Sequence, residues 1–445
     1  MHASGLEQLA QASAGAVFHG LDPAAAGELA AFNTAVTHRP AVVVAARNAG
    51  DIAAAVRHAA TEGLSVTVQA TGHGGSVPAD DSTVFISTKA LQGVQVDPAT
   101  RRARVEAGVP WRKVIDAAAP FGLAPLSGSS SGVGVVGYTL GGGMGHLARR
   151  HGFAADHVRS VEMVTADGAT RTVTADSDPE LFWAVRGGQS SFGIVSALEF
   201  DLFPVPQFFG GAMVFTSEAV ADVLHAFSAW APTLPEDVTT SVALLRLPPV
   251  ETVPPPLRGI VSLALRFGFA GSQRRGEALL APMRRVAAPV LDSVGPMPFS
   301  AVDRIHMDPT DPMPAVARGG LLREVSSAVV DRLLAVAGPG VEVPLAVLEV
   351  RLMGGALGRP AQVTNAVAGR EGAYALSVIA PSPPPLADIA PAVASATIDA
   401  LAPWATGTSL VNFAGGHPAH RREQGLAASL GASEAEPQGQ ADDAT

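Results

Sequence analysis

The chain has 445 residues and a formal net charge of −10, and it contains no cysteine. Its length exceeds what one hydrophobic core serves and predicts two domains, and 47% hydrophobic with 16% charged residues is the balance of a globular protein. The acidic balance argues against a nucleic-acid-binding face, the missing thiols exclude disulfides and thiolate metal sites, and the lack of any run of about 18 apolar residues or of a signal-peptide pattern makes a cytoplasmic protein without a membrane span the expectation.

In chain order, residues 41–46 (AVVVAA) read as a buried strand. Residues 48–62 read as a helix, capped by Asn48 or Asp51 and closed by Gly63. Residues 64–69 are a second strand, which runs into the loop 70–76 (ATGHGGS). A short strand at 84–87 follows, then a hairpin of 94–96 and 103–106 around Asp97-Pro98-Ala99-Thr100, then a helix at 111–119. Beyond the Ser/Gly/Val stretch 127–145, residues 158–164 and 170–173 pair across Asp167-Gly168. Residues 179–185 are a helix and 192–203 a long strand. Past Pro206, proline-rich breaks separate strand candidates at 260–267, 346–352 and 374–379 from helix candidates at 274–286 and 321–337. The pattern predicts an α+β protein whose second domain has a mainly antiparallel sheet backed by helices.

Three glycine-rich features carry the chemistry. In the loop 70–76, glycines let several backbone N–H groups converge on an anion, and His73 stands at its centre between Gly72 and Gly74. From the loop alone, a surface turn in which His73 is incidental is the competing reading. The second feature, Gly132-Val133-Gly134-Val135-Val136-Gly137, is a literal G-x-G-x-x-G. A nicotinamide fingerprint needs a strand before it and a helix running out of it. Here residues 127–131 (SGSSS) precede it and Gly141-Gly142-Gly143 follow, so a nicotinamide nucleotide is not expected. The third, residues 137–152 (GYTLGGGMGHLARRHG), is costly in backbone entropy and implies close approach of backbone to a flat ligand.

These motifs stand in order, followed by Trp183-Ala184-Val185-Arg186-Gly187-Gly188 and Phe192-Gly193-Ile194-Val195. Residues 39–204 thus resemble the PCMH-type FAD-binding domain of the vanillyl-alcohol oxidase superfamily. More narrowly, the chain is similar to the berberine bridge enzyme-like and 6-hydroxy-D-nicotine oxidase-like oxidases, because residues 306–315 (HMDPTDPMPA) and 349–356 (EVRLMGGA) also resemble that group's substrate domain. The resemblance implies a two-subdomain PCMH-type FAD-binding domain at 36–206 after a helical segment at 1–35. It implies a substrate-binding domain at 207–405, a segment at 406–420 returning to the FAD domain, and a disordered acidic tail at 421–445. It further implies that Thr71, Gly72, His73, Gly74 and Gly75 wrap the FAD pyrophosphate, with His73 bonded covalently to the flavin 8α-methyl. Ser127, Gly128, Ser130, Val133 and Gly137 would run along the ribityl chain and isoalloxazine ring. Tyr138, Thr139, Gly141, Gly142, Gly143 and Gly145 would continue that wall, and Ile194, Val195 and Asn412 would complete the set.

The departures from the family pattern matter. Many relatives make a second flavin bond from a cysteine at the place of Ser130, which this chain cannot do. Relatives often carry a tyrosine base in a Tyr-x-Asn element, where this chain reads Leu410-Val411-Asn412-Phe413. The Lys/Arg-rich helix and Asp-Pro element that end such relatives are not recognisable either.

The resemblance implies an FAD-dependent oxidase that removes hydride from a C–H beside oxygen or nitrogen of a small organic substrate, with O2 reoxidising the flavin. A dehydrogenase using another acceptor and a degenerate flavin-binding protein are the rivals. With Leu410 at the tyrosine place, base candidates are Tyr374 and Glu349. Arg351 alternates with Glu349 on one strand and so faces the same side, where it is expected to lower the pKa of Tyr374. Tyr138 is expected beside the flavin. His306, Asp308 and Asp311 stand in a turn stiffened by Pro309 and Pro312, so no metal site is expected. No motif encodes the substrate or the oligomeric state.

Overall fold

The computed structural model describes residues 3–74, 77–251 and 253–415. Gly75, the end of the 406–420 segment and the tail at 421–445 lie outside the described residues.

The chain opens with a sheet ordered Val17–His19, Val42–Ala45, Thr83–Ser87, Ser65–Gln69, in which the last three strands run parallel. Every residue of Val42–Ala45 is buried because both faces are covered. Val42 and Val44 join the main core, while Val43 and Phe85 pack with Ala25 and Leu29 on the other side. Helix Ala49–Glu62 makes the crossover. Its N-cap is Asn48, whose Oδ1 accepts the Asp51 N–H at 3.0 Å, and Gly63 at φ 67° ends it. Asp51, the other cap candidate, is buried and instead accepts N–H bonds from Ala14, Gly15 and Arg47, which pins the preceding segment.

A second, antiparallel sheet follows in the order Val94–Asp97, Arg102–Glu106, Ile194–Asp201, Val158–Val164, Thr170–Val173. Helices Trp111–Ala118, Val135–Leu140 and Pro179–Gly188 contribute buried residues to the same core. Helix Val135–Leu140 leaves the G-x-G-x-x-G after all, yet it has six residues, and serine-rich loop rather than a strand precedes Gly132.

The third sheet is antiparallel throughout, ordered Leu291–Asp292, Phe208–Phe215, Val261–Phe269, Val238–Arg246, Val347–Leu352, Tyr374–Pro381, Ala315–Leu322, with Gly295–Met297 also on Phe208–Phe215. Helices Val220–Trp230, Gln273–Arg284, Ser327–Ala337 and Ala390–Asp399 share one core with its apolar face. The opposite face is polar. Ser241 lies directly across from Arg266 and Arg351, and Glu349 across from Ser377. The helix expected over 321–337 begins only at Ser327, because Leu321 and Leu322 end a strand.

Buried arginines join the first part of the chain to the third sheet and its connections. Arg149 donates to the carbonyls of Met353 (2.8 Å), Val238 (2.6 Å), Pro235 (3.0 Å) and Leu234 (3.3 Å). Arg186, fully buried at a kink, donates to Phe182, Ala155, Val363 and Thr364 carbonyls. Neither has a carboxylate partner within salt-bridge distance among the described residues, and burial pulls Arg186 down to about 10.

Candidate active site

A cleft of about 970 Å³ runs between the glycine-rich segments and the polar face of the third sheet. The loop carrying His73 forms one wall. The imidazole stacks on Phe32, with ring centroids 4.0 Å apart and planes 8° from parallel. Its Nδ1 is 2.9 Å from Thr71 Oγ1, and the same oxygen accepts the Gly134 N–H at 3.2 Å, so Thr71 ties the loop to the G-x-G-x-x-G segment. Burial lowers the His73 pKa to about 4, with Asp308 opposing, and the ring is neutral at neutral pH. Among the described residues, the N–H groups of Gly72, His73 and Gly74 donate to no protein acceptor.

Thr71, Gly72, His73, Gly74, Gly128, Ser130, Val133, Gly137 and Tyr138 line this cleft, and Ile194, Val195 and Asn412 do as well. A smaller cavity of about 370 Å³ adjoins it, sharing His73, Ser129 and Ser130 and adding Lys89, Asp303 and Asp308. Ser127, Thr139, Gly141, Gly142, Gly143 and Gly145 stand behind the wall. At the glycines among them, the protein itself fills the space a side chain would need. A side chain at Gly141 would collide with Asn412, at Gly143 with Tyr138, and at Gly145 with the Ser127 carbonyl. By contrast, Gly74 and Gly137 face open space.

The C-terminal segment does return here. Asn412 Nδ2 donates to the Tyr138 carbonyl at 2.8 Å. Leu410, at the place of the family's tyrosine, is buried with Met144, Phe153, Leu321 and Ala375 in an apolar cluster and is not on the cleft wall.

The opposite wall presents Arg351, 6% exposed, with its Cζ 5.8 Å from the Phe413 ring centroid. Its Nη2 donates to Glu349 Oε2 at 3.1 Å and approaches His306 Nε2 at 3.0 Å. Glu349 is the hub behind it. Oε1 accepts from Ser241 Oγ (2.6 Å) and Arg266 Nη1 (2.8 Å) and lies 3.2 Å from His306 Nε2. Burial alone would raise the Glu349 pKa, but Arg351 and Arg266 outweigh it and hold the carboxyl well below its ordinary range. Burial pushes His306 down to about 3 and His146, whose ring is 5.0 Å away, well below its usual value. Among the described residues, the buried atoms Tyr138 Oη, His146 Nε2 and His306 Nδ1 have no partner. Burial raises the Tyr138 pKa against the pull of Arg351, so the phenol stays protonated.

Two expectations are corrected. Tyr374 does not face the cleft or Arg351. In register it opposes Leu352, the neighbour of Arg351, so its side chain points to the other face, into the apolar core. Burial moves its pKa up to about 12, with Arg149 rather than Arg351 opposing. Glu349 is buried behind Arg351 and held ionised, which makes it a countercharge and a poor proton acceptor. The reading of 306–315 as a stiff substrate-domain turn without a metal did not place His306 beside Glu349. His146, Arg266 and Phe413 were missed too. Arg266 was detectable as the lone charge in an otherwise apolar strand (VSLALRFGF), and such a residue is costly to bury unless paired.

A mixed sheet and an antiparallel sheet thus face a third sheet across a long cleft. Residues 40–174 match the family model described as FAD binding domain. The (R)-6-hydroxynicotine oxidase of Paenarthrobacter nicotinovorans is 33% identical over 199 residues, 44% of this chain and 40% of that protein. The xylooligosaccharide oxidase of Thermothelomyces thermophilus is 32% identical over 179 residues, 39% of this chain and 36% of that protein. The chain thus matches well under half the length of these two curated relatives. Among solved structures, a variant of Physcomitrella patens BBE-like 1 superposes with a TM-score of 0.81 at 17% identity, over 95% of both chains. The 6-hydroxy-D-nicotine oxidase of Arthrobacter nicotinovorans superposes at 0.75 and 22% identity, over 93% of this chain and 95% of that one. Residues 40–174 thus carry an FAD binding domain, and the chain as a whole has the fold of the BBE-like and 6-hydroxy-D-nicotine oxidase structures.

The cleft fits FAD on its own terms. The N–H groups of residues 72–74 offer donors to a pyrophosphate, Gly74 and Gly137 leave open space for a large ligand, and the volume is that of a sizeable cofactor with room beside it.

Proposed function

We propose that the chain is an FAD-dependent oxidase that holds its cofactor covalently through His73 and removes hydride from a C–H beside oxygen or nitrogen of a small organic molecule, with O2 as electron acceptor. The cofactor-binding unit is taken as residues 36–206 and the substrate unit as 207–405. The observation that carries the reading is the cleft itself, with His73 and Tyr138 on one wall and Arg351 on the other. FAD bound there supplies the hydride acceptor. His73 is suited to attachment because it is neutral, stacked on Phe32 and held at Nδ1 by Thr71, which leaves Nε2 as the free nitrogen. The name oxidase borne by the nicotine-oxidising relative supports oxygen as acceptor.

The protein's own part is orientation and proton handling. Tyr138 offers a buried O–H. A neutral His306 uses Nε2 either to accept from Arg351 or to donate to Glu349, and in each case Nδ1 stays without a partner. His306 and the adjoining His146 stand behind Arg351, where burial holds both neutral.

The test is direct. Purified protein precipitated with acid keeps its yellow colour, and His73→Ala releases it. Colour lost from the wild type removes the covalent bond and leaves FAD binding standing. Reoxidation of the photoreduced protein in air, faster than turnover, supports the oxidase; no reoxidation makes it a dehydrogenase.

A further inference from the structure

We infer that the substrate is an organic acid, a largely apolar molecule bearing a carboxylate or acidic phenol, whose anionic oxygens are gripped by Arg351. The inference rests on the reading of the cleft as a flavin site and deepens it.

The protein as a whole is acidic, with a net charge of −10. Yet the charged side chains on the described wall of the large cleft are two arginines, Arg318 and Arg351, with no Asp, Glu or Lys among them. The histidines there, His38 and His73, both have lowered pKa values from burial. A lining of this sign in a protein of the opposite sign is selective for anions. Both arginines stand on the third sheet, across from the glycine loop that suits the pyrophosphate.

Arg351 is built to hold a ligand rather than only an internal partner. Glu349 and His306 occupy Nη2, while Nε and Nη1 donate to no protein group among the described residues. Arg266 and Ser241 tie Glu349 from behind and so fix where Arg351 points. A guanidinium with free N–H groups at a water-poor wall matches a carboxylate or phenolate oxygen. Tyr138 Oη is buried behind the facing wall and has no partner among the described residues. The Phe413 ring beside Arg351, with Leu140 and Met144 on the other wall, suits an apolar or aromatic body. Asp308 is a further carboxylate of this region. It faces the adjoining smaller cavity, and its pKa is raised by burial, with Arg266 and Arg351 opposing. Arg318 Nη1 bonds the Ala317 carbonyl at the sheet edge, and among the described residues its buried Nε has no partner.

The experiment uses the purified full chain, with flavin content measured first. Benzoate, phenylacetate and cinnamate are titrated by calorimetry and by flavin absorbance, beside their amides and the corresponding primary ammonium ions. At least one acid should bind about 10–100-fold more tightly than its amide, the range for hydrogen bonds to a charged group, and the ammonium ions should bind least. Arg351→Met should erase the preference for acid over amide, and Arg351→Lys should restore part of it. Equal binding of acid and amide in the wild type, binding by no acid, or an unchanged preference in a folded Arg351→Met overturns the inference. If Arg351→Met does not fold, the wild-type comparison decides alone. A change in flavin midpoint potential with unchanged ligand preference also overturns it, assigning Arg351 to the cofactor instead. Absence of flavin from the wild type defeats the flavin reading separately, because calorimetry reads the acid preference without it.

Discussion

Arg351 and Tyr374 lie on neighbouring strands, one register step apart, and face opposite ways. Arg351 pairs with Ala375 and looks into the cleft, whereas Tyr374 pairs with Leu352 and looks into the helix-backed core. Side chains directly opposite in a sheet share a face, and the next pair takes the other. One step therefore separates a residue on the cleft wall from one in the core.

Tyr374→Phe should leave flavin reduction within about twofold of wild type, since general-base loss typically costs about 100-fold or more. The hydroxyl is buried without a partner, so its removal should also be neutral or slightly stabilising, by up to about 1 kcal/mol. Stopped-flow reduction and thermal melting read the two effects. A 100-fold slower reduction would return Tyr374 to the site.

Covalent attachment should persist far into acid. His73 must be neutral to use its nitrogen lone pair. Because burial lowers its pKa to about 4, the neutral form holds above that value and is lost below it. Apoprotein mixed with FAD should gain acid-stable flavin at a rate that is flat from neutrality to about pH 5 and falls near pH 4. A fall centred near 6.5 would show an ordinary imidazole. Thr71→Val, which removes the Nδ1 partner and the acceptor for Gly134 N–H, should slow the same reaction.

Glu349→Gln should destabilise the protein at pH 7 by roughly 3 kcal/mol, the lower end for breaking a buried ion pair. It leaves Arg266 and Arg351 without their countercharge. Arg351 and Arg266 hold the folded-state pKa well below the ordinary carboxylate range. The stabilisation is therefore complete above about pH 5 and is lost as pH falls below that value through the folded pKa. Urea unfolding of both proteins across pH 3–8 should show the difference shrinking only on the acid side.

Arg149→Met should cost on the order of 3 kcal/mol, because four carbonyls lose a charged donor at once. Those carbonyls belong to the third sheet's strand ends and connections, so limited proteolysis should cut there first. Unchanged stability would mean that water replaces the guanidinium freely.

Local signals were legible where one residue decides one feature. Asn48 and Gly63 bound their helix, and residues 97–102 turn their hairpin. Strands with two covered faces were harder to see. Phe208–Phe215 is buried at every position, so no alternation marks it, and paired glycines interrupt its apolar run. The glycine loop was readable because its residues are contiguous. The polar cluster was not, because Ser241, Arg266, His306 and Glu349 come from four separate segments and meet only through sheet register.

Asn412 sits where any side chain on Gly141 would have to be, although 271 positions separate them in the sequence. Gly141 cannot gain a side chain without displacing the Asn412 amide. Related chains that enlarge position 141 are therefore expected to shrink or reposition residue 412 in the same step, so that two remote sites drift through evolution as one.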